Sequence, residues 1–379
     1  MEQPSEAFRD ASLGRELLER VEERYRRARE RLGRDISLME ICGTHTVSIS
    51  RAGLRSVLPG GLQLKSGPGC PVCVTDDREI DEMIELSRVE GAILATYGDM
   101  LQVPGTRTSL QREQAAGADV RLVYSPLDAV RVARENPGRP VIFLGVGFET
   151  TAPATAVALE HAQDLRNFYV YCAHKLTPPA MAALMADPEV TLQGFLVPGH
   201  VSTILGLRGF AFLAEQYHLP AAVAGFEPVD ILLGLLNLLD QLACGRAEVF
   251  NAYPRVVRED GNPRARELMA RYFEVADAGW RGIGRIPGSG LRLGPAYRRF
   301  DALRAFPVKV PRSRPRRGCA CGEVLRGKLP PTDCRLFARG CTPAQPVGPC
   351  MVSSEGACAA YYRYERRPGG GPAGAEGAG

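Results

Sequence analysis

The stretch PVIFLGVGFETTAP at 140–153 decides the fold class. Its apolar run, 140–146, breaks at Gly145-Val-Gly-Phe-Glu149 and gives way to a helical pattern, so it reads strand, tight turn, helix. Runs of the same kind recur at 62–65, 91–98 (GAILATYG), 119–124 (DVRLVY), 168–173 (FYVYCA), 191–197 (TLQGFLV) and 221–225 (AAVAG), with a further strand expected at 36–41. Helical patterns separate them, such as 76–89, which opens on Asp-Asp where an N-cap belongs. This alternation predicts an α/β protein with mostly parallel sheets and ligands at the carboxyl ends of the strands. Seven or eight strands suffice for one large sheet, but two smaller, similar lobes are the favoured reading. An internal echo supports them: LKSGPGCPVC at 64–73 and FLVPGHVST at 195–203 each read strand, Pro-Gly, reactive-type residue, helix. TYGDM at 96–100 and GFEP at 225–228 likewise close a strand with Gly and an acid. The G-x-G turn lacks the third glycine of a dinucleotide fingerprint, and no G-x-x-x-x-G-K-[ST] occurs, so the loop is read as a tight turn with Glu149 projecting into a cleft.

At 379 residues and 45% apolar content, the chain can bury one or two sizeable cores and a small appendage. A net charge of +4 argues against nucleic acid as a partner. The charged N-terminal stretch has no apolar segment, so no signal peptide is expected. No run approaches the roughly 18 apolar residues of a membrane span; the longest, 231–242, is broken by Gly, Asn, Asp and Gln. A cytoplasmic protein with no membrane partner is the expectation. Residues 12–32 predict an amphipathic helix, with Leu17, Leu18, Val21, Tyr25, Ala28 and Leu32 along one side. The expected organisation is an N-terminal helix and lead-in, 1–40, packing on the Cys-rich region; lobe I, 41–150; lobe II, 151–250; connecting helices and the Cys-rich region, 251–365; and a disordered tail, 366–379. Pro254, Pro263, Pro287 and Pro295 punctuate helical pieces over 246–310, and PRSRPRRG at 311–318 reads as a solvated linker.

Chemistry is concentrated in eleven cysteines, which in a reducing compartment suggest metal or redox roles. Six of them, Cys319, Cys321, Cys334, Cys341, Cys350 and Cys358, lie in a Gly- and Pro-rich segment that cannot bury a core alone and needs cross-links. Structural zinc favours two short C-x₂₋₄-C pairs. Here only 319–321 is close, and the wide gaps suit a [4Fe–4S] cluster gripped by loops, although spacing does not select four thiols from six. Cys70-Pro-Val-Cys73 can close as a disulfide or share a metal, and a helix expected near Asp76 places Cys73 close to a positive helix end. Cys42 ends a predicted strand, with His45 near enough in sequence to deprotonate or orient it. His200 stands at a second strand end, while His161 and His218 read as packing residues. Cys172 and Cys244 are expected to be buried and inert.

Taken together, MEICGTHT at 39–46, SGPGCPVCVT at 66–75, TYGDM at 96–100, GVGFETTAP at 145–153, PGHVS at 198–202 and CMVSSEGACAAYYRY at 350–364 make the chain resemble the HypD family of [NiFe]-hydrogenase maturation proteins from 40 to 364. The family's cluster pattern, C-x₁₂-C-x₆-C-x₁₆-C, falls on Cys321, Cys334, Cys341 and Cys358, leaving Cys319 and Cys350 over. The resemblance implies two similar α/β lobes and a third region around a [4Fe–4S] cluster. It also implies a role in which the chain, together with the chaperone HypC, scaffolds assembly of the Fe(CN)2CO unit. Cyanide arrives from HypE, charged by HypF, and the product passes to the hydrogenase large subunit. By motif, Cys42 ligates iron, and Cys70 and Cys73 are a redox-active pair or further iron ligands. His45, Glu149, His200 and Glu355 are candidates for proton handling. Two alternatives are a stand-alone thiol–disulfide oxidoreductase resembling ferredoxin–thioredoxin reductase, and an interaction protein with a zinc-stabilised tail.

Overall fold

The computed structural model describes residues 10–310 and 318–366. The linker expected at 311–318 and the tail expected at 366–379 therefore lie, but for one residue each, outside the described residues. In chain order the strands are β1 (Ile36–Glu40), β2 (Leu62–Ser66), β3 (Ile93–Thr96), β4 (Asp119–Leu122), β5 (Val141–Gly147), β6 (Phe168–His174), β7 (Gly194–Pro198), β8 (Ala221–Ala224), β9 (Val249–Asn251), β10 (Phe273–Trp280) and β11 (Gly284–Leu293). They form a five-stranded sheet, order β2-β1-β7-β8-β9, a four-stranded sheet, order β4-β3-β5-β6, and a hairpin, β10-β11. Every pairing within the two larger sheets is parallel. All seven residues of β5 are buried, as in a parallel sheet covered on both faces.

The sheets are interleaved along the chain, which corrects the division at 150/151. The chain starts the five-stranded sheet with β1 and β2, leaves to build the whole four-stranded sheet, and returns with β7 beside β1. A parallel partner can be reached only by a long crossover, and here that crossover is an entire lobe. Each sheet consequently has a point where strand order reverses, between β1 and β7 in one and between β3 and β5 in the other. Crevices for ligands open at the carboxyl ends of such strand pairs.

Helix Ala11–Leu32 is capped by Asp10, whose side chain accepts from the Ser12 and Leu13 N–H groups. Its apolar stripe (Leu17, Val21, Tyr25, Ala28) is buried against helix Pro228–Cys244 of the five-stranded lobe, with Arg24 paired to Asp240 at 2.7 Å. The expected packing of this helix on the Cys-rich region is thus corrected, although β1 does reach that region: a Cβ on Gly327 would meet Met39 Cε at 2.4 Å. The stretch read as helical pieces contains the β10–β11 hairpin, where partly buried and exposed residues alternate from Glu274 to Ala278. Gly282, at φ 75°, makes the reversal. Helix Pro228–Cys244 contains the 231–242 run, and among the described residues no helix is long and apolar enough to cross a membrane.

Candidate functional site

Cys42 and Cys70 follow adjacent strands in register, with Glu40 of β1 opposite Ser66 of β2. The Gly67-Pro68-Gly69 loop folds back onto Cys42: the Gly67 N–H donates to the Glu40 carbonyl (2.8 Å) and the Gly43 N–H to the Gly69 carbonyl (3.0 Å). A Cβ on Gly69 would stand 2.1 Å from the Cys42 nitrogen, so only glycine fits there. Cys70 caps the short helix Pro71–Val74, accepts from the Cys73 N–H at 3.2 Å, and forms a disulfide with Cys73 across a Cα separation of 5.2 Å. Cys73 thus lies inside its own helical turn rather than at the start of helix Asp77–Leu86, which Asp76 and Glu79 cap reciprocally.

Cys42 occupies the N-cap position of helix Gly43–Arg51, at the five-stranded sheet's reversal point, without a side-chain capping bond. Burial pushes its thiol up to about 12, against the pull of the His45 and Thr44 N–H groups and with a further push from Glu355 and Glu40. Glu40 itself is fully buried, accepts from the Cys42 N–H (2.9 Å) and the Thr46 hydroxyl, and is raised by burial to about 7. This acid was not singled out from the sequence; the available signal was a carboxylate at the last position of a buried strand, two residues before a cysteine. His45 reaches Cys42 only through its backbone. Its Nε2 contacts the Gly225 carbonyl at 2.8 Å, Nδ1 has no partner among the described residues, and burial lowers the imidazole to about 4. His200 is exposed, with its ring 4.0 Å from Phe226, which also contacts His45.

Glu355 arrives from the Cys-rich segment and closes the crevice. It accepts from the Thr44 hydroxyl at 2.6 Å, and Gly43 leaves it room, since a Cβ there would sit 2.6 Å from Glu355 Cβ. The same strap is fastened to the other lobe: Ser353 Oγ and the Ser354 N–H donate to Asp99 at 2.9 and 3.1 Å. Asp99 follows β3, so residues 353–355 bridge both reversal points. TYGDM contained this residue, but nothing in the motif named its partner. Glu149 corrects an expectation. It is buried rather than set in a cleft, accepting from the Thr177 N–H (2.7 Å) and hydroxyl (2.9 Å), with its carboxyl pushed by burial up to about 7. A carboxylate at the end of so apolar a strand is retained only where such donors meet it.

All six tail cysteines line one small cavity. Cys321 and Cys350 approach to 2.8 Å, and a Cβ on Gly348 would come within 2.9 Å of Cys319 Sγ. Hydrogen bonds from Cys319 and Cys350 drive Cys321 well toward the thiolate. The cavity adjoins the disulfide: Cys73 Sγ stands 4.0 Å from the Pro349 carbonyl, and Cys70, Cys73, Cys321 and Cys350 share one buried cluster. Among the described residues no three His, Cys, Asp or Glu side chains are arranged to hold a single metal ion. Cys172 is half-buried and contacts the Leu291 carbonyl at 3.2 Å, whereas Cys244, His161 and His218 are exposed, contrary to expectation.

The family model for HypD, described as the hydrogenase formation hypA family, matches residues 13–365. The chain is 46% identical to the hydrogenase maturation factor HypD of Azotobacter vinelandii over 369 residues, covering 95% of this chain and 96% of that one. It is 46% identical to the HypD of Rhodobacter capsulatus over 368 residues (94% and 97%) and 44% identical to that of Escherichia coli K12 over 361 residues (93% and 95%).

Proposed function

The chain belongs to the HypD family of hydrogenase maturation factors, and on that premise we propose that it is the cytoplasmic scaffold on which iron acquires cyanide and carbon monoxide, with Cys42 as the iron-holding thiol. The observation that carries the reading is the convergence of three thiol groups at one crevice: Cys42 against the Gly67–Gly69 loop, the Cys70–Cys73 disulfide beyond it, and the cysteine cavity across Pro349. Iron is the substrate here. Low-spin iron bearing cyanide and CO prefers soft thiolate donors. A buried thiol between two carboxylates resists ionising until a cation arrives, and then the same carboxylates favour the charged pair. A cysteine of a HypC-type chaperone completes the iron site from the open side near His200. Cyanide comes from HypE, charged by HypF, and the finished unit passes to the hydrogenase large subunit.

A [4Fe–4S] group suits Cys321, Cys334, Cys341 and Cys358: they line one cavity of soft donors, and the buried Nη2 of Arg281 nearby has no partner among the described residues. Bound there, it would supply one-electron transfer. Opening of the Cys70–Cys73 disulfide to the dithiol needs two electrons and two protons, the electrons coming one at a time from an external low-potential electron donor and the protons from solvent. His200, on the open side, is the group placed to pass protons near Cys42, with Glu355 beside it accepting from the Thr44 hydroxyl, while Glu40 fixes the Cys42 backbone. A stand-alone disulfide oxidoreductase fits less well, because Cys70 and Cys73 are only 4% and 0% exposed and offer no sulfur to an external protein disulfide.

The test is Mössbauer spectroscopy of the anaerobic complex with the HypC-type partner, for the native chain and Cys42→Ala. The variant is expected to fold, since one buried sulfur contributes on the order of 1 kcal/mol. It should lose the low-spin mononuclear iron signal and keep the iron–sulfur signal. Mononuclear iron retained in full by the alanine variant removes Cys42 from the site.

A further inference from the structure

We propose that Arg281 is a positioning residue that ties the Cys70–Cys73 segment to the cysteine cavity and offers its unpartnered Nη2 to the anionic sulfur held there; this rests on reading the cavity as an iron–sulfur site. Arg281 sits in the turn between β10 and β11. Its backbone N–H donates to the Val74 carbonyl at 2.9 Å, Nε donates to the Thr75 carbonyl at 3.0 Å, and Nη1 donates to Asp77. All three acceptors lie within four residues of Cys73. The side chain is 7% exposed, yet Nη2 has no partner among the described residues. A buried donor left unsatisfied costs roughly 1–3 kcal/mol, more when charged. The fork is therefore arranged for an acceptor that the described residues do not provide.

The backbone shows where that acceptor belongs. Gly282 closes on Gly322 so tightly that a Cβ on Gly282 would stand 2.2 Å from Gly322 Cα, and Gly322 follows Cys321 directly. Iron–sulfur groups ligated by four thiolates carry net negative charge that grows on reduction, and hydrogen bonds to their sulfurs raise the reduction potential. A guanidinium donor is charged, planar and always protonated, so it does this at every working pH. The same residue braces the segment that follows the Cys70–Cys73 disulfide, so both sulfur sites answer to one side chain.

The test is an anaerobic redox titration of the full-length chain, native against Arg281→Gln and Arg281→Lys, with iron content and melting measured alongside. The glutamine variant is expected to favour reduction about tenfold less, a shift of 59 mV to more negative potential for one electron, with lysine between it and the native chain. Wild-type potentials in both variants, at wild-type iron content, overturn the assignment. Should the glutamine variant lose its iron, the lysine variant decides on the same criterion. Loss of iron from both variants in chains that melt like the native one is the extreme form of the expected effect. Unfolding of both reduces Arg281 to a strut and overturns it too. A native chain that purifies without an iron–sulfur chromophore refutes instead the reading on which the inference rests.

Discussion

Replacing Cys70 and Cys73 together with alanine is expected to lower hydrogenase maturation in cells at least a hundredfold while the chain remains folded. The disulfide closes a loop of only four residues, for which chain entropy alone gives about 2 kcal/mol. Alanine is preferred to serine because the pair is buried among apolar neighbours of one core cluster, where an unpaired hydroxyl adds its own penalty. A domain of this size tolerates such a loss with a melting point lower by several degrees. The functional loss is larger because no other cysteine replaces the pair: Cys42 lies behind the Gly67–Gly69 loop, and the six tail thiols lie across Pro349. Maturation activity and melting point, measured on the same variant, separate the roles. Activity falling only in proportion to the folded fraction would make the pair a staple and nothing more.

The second large effect is expected at the tail. Serine at Cys341 and Cys358 together should remove the chromophore and open residues 318–366 to protease, with the two α/β lobes intact. This segment holds three short α-helices, Cys321–Leu325, Pro349–Val352 and Ala357–Tyr364, and one 3-10 turn, Pro331–Asp333, the longest of eight residues. Helices that short are marginal without outside support. Once the cross-link is gone, the strap is held by Leu325 and Cys350 in the core and by single polar contacts such as Ser353 to Asp99, Thr44 to Glu355 and Arg55 to Glu365, each contributing on the order of 1 kcal/mol. Detachment removes Glu355 from the crevice beside Cys42, so iron retention falls with it. Limited proteolysis under anaerobic conditions reads this directly. A tail as resistant as the native one, in a colourless variant, shows that packing and not metal secures the segment.

Much of this architecture was legible in the residues, and the exceptions have identifiable causes. Apolar runs punctuated by Gly and acid marked eight of the nine parallel strands, and the alternation gave the parallel class. β9 escaped because three residues with partly exposed side chains carry no pattern. Strand order was beyond reach: β1 pairs with β7 more than 150 residues later, and local periodicity contains no trace of that choice. The amphipathic stripe of Ala11–Leu32 showed that the helix packs, not what it packs against. Cys42 and Cys70 were visible because glycines crowd the turns that carry them. Glu40, Asp99 and Arg281 were missed because ordinary residue types acquire their roles from distant partners. Glu149 was misplaced for the same reason, as its donors come from Thr177, 28 residues on.

Infrared spectroscopy of the anaerobically purified complex with a HypC-type partner tests the central claim most directly, because nitrile and metal-carbonyl stretches have few other origins in a protein. Cyanide and carbon monoxide bands are predicted for the native complex and their absence for the Cys42→Ala complex. A native complex without those bands, or bands of equal strength in both, contradicts the assembly of iron on this crevice.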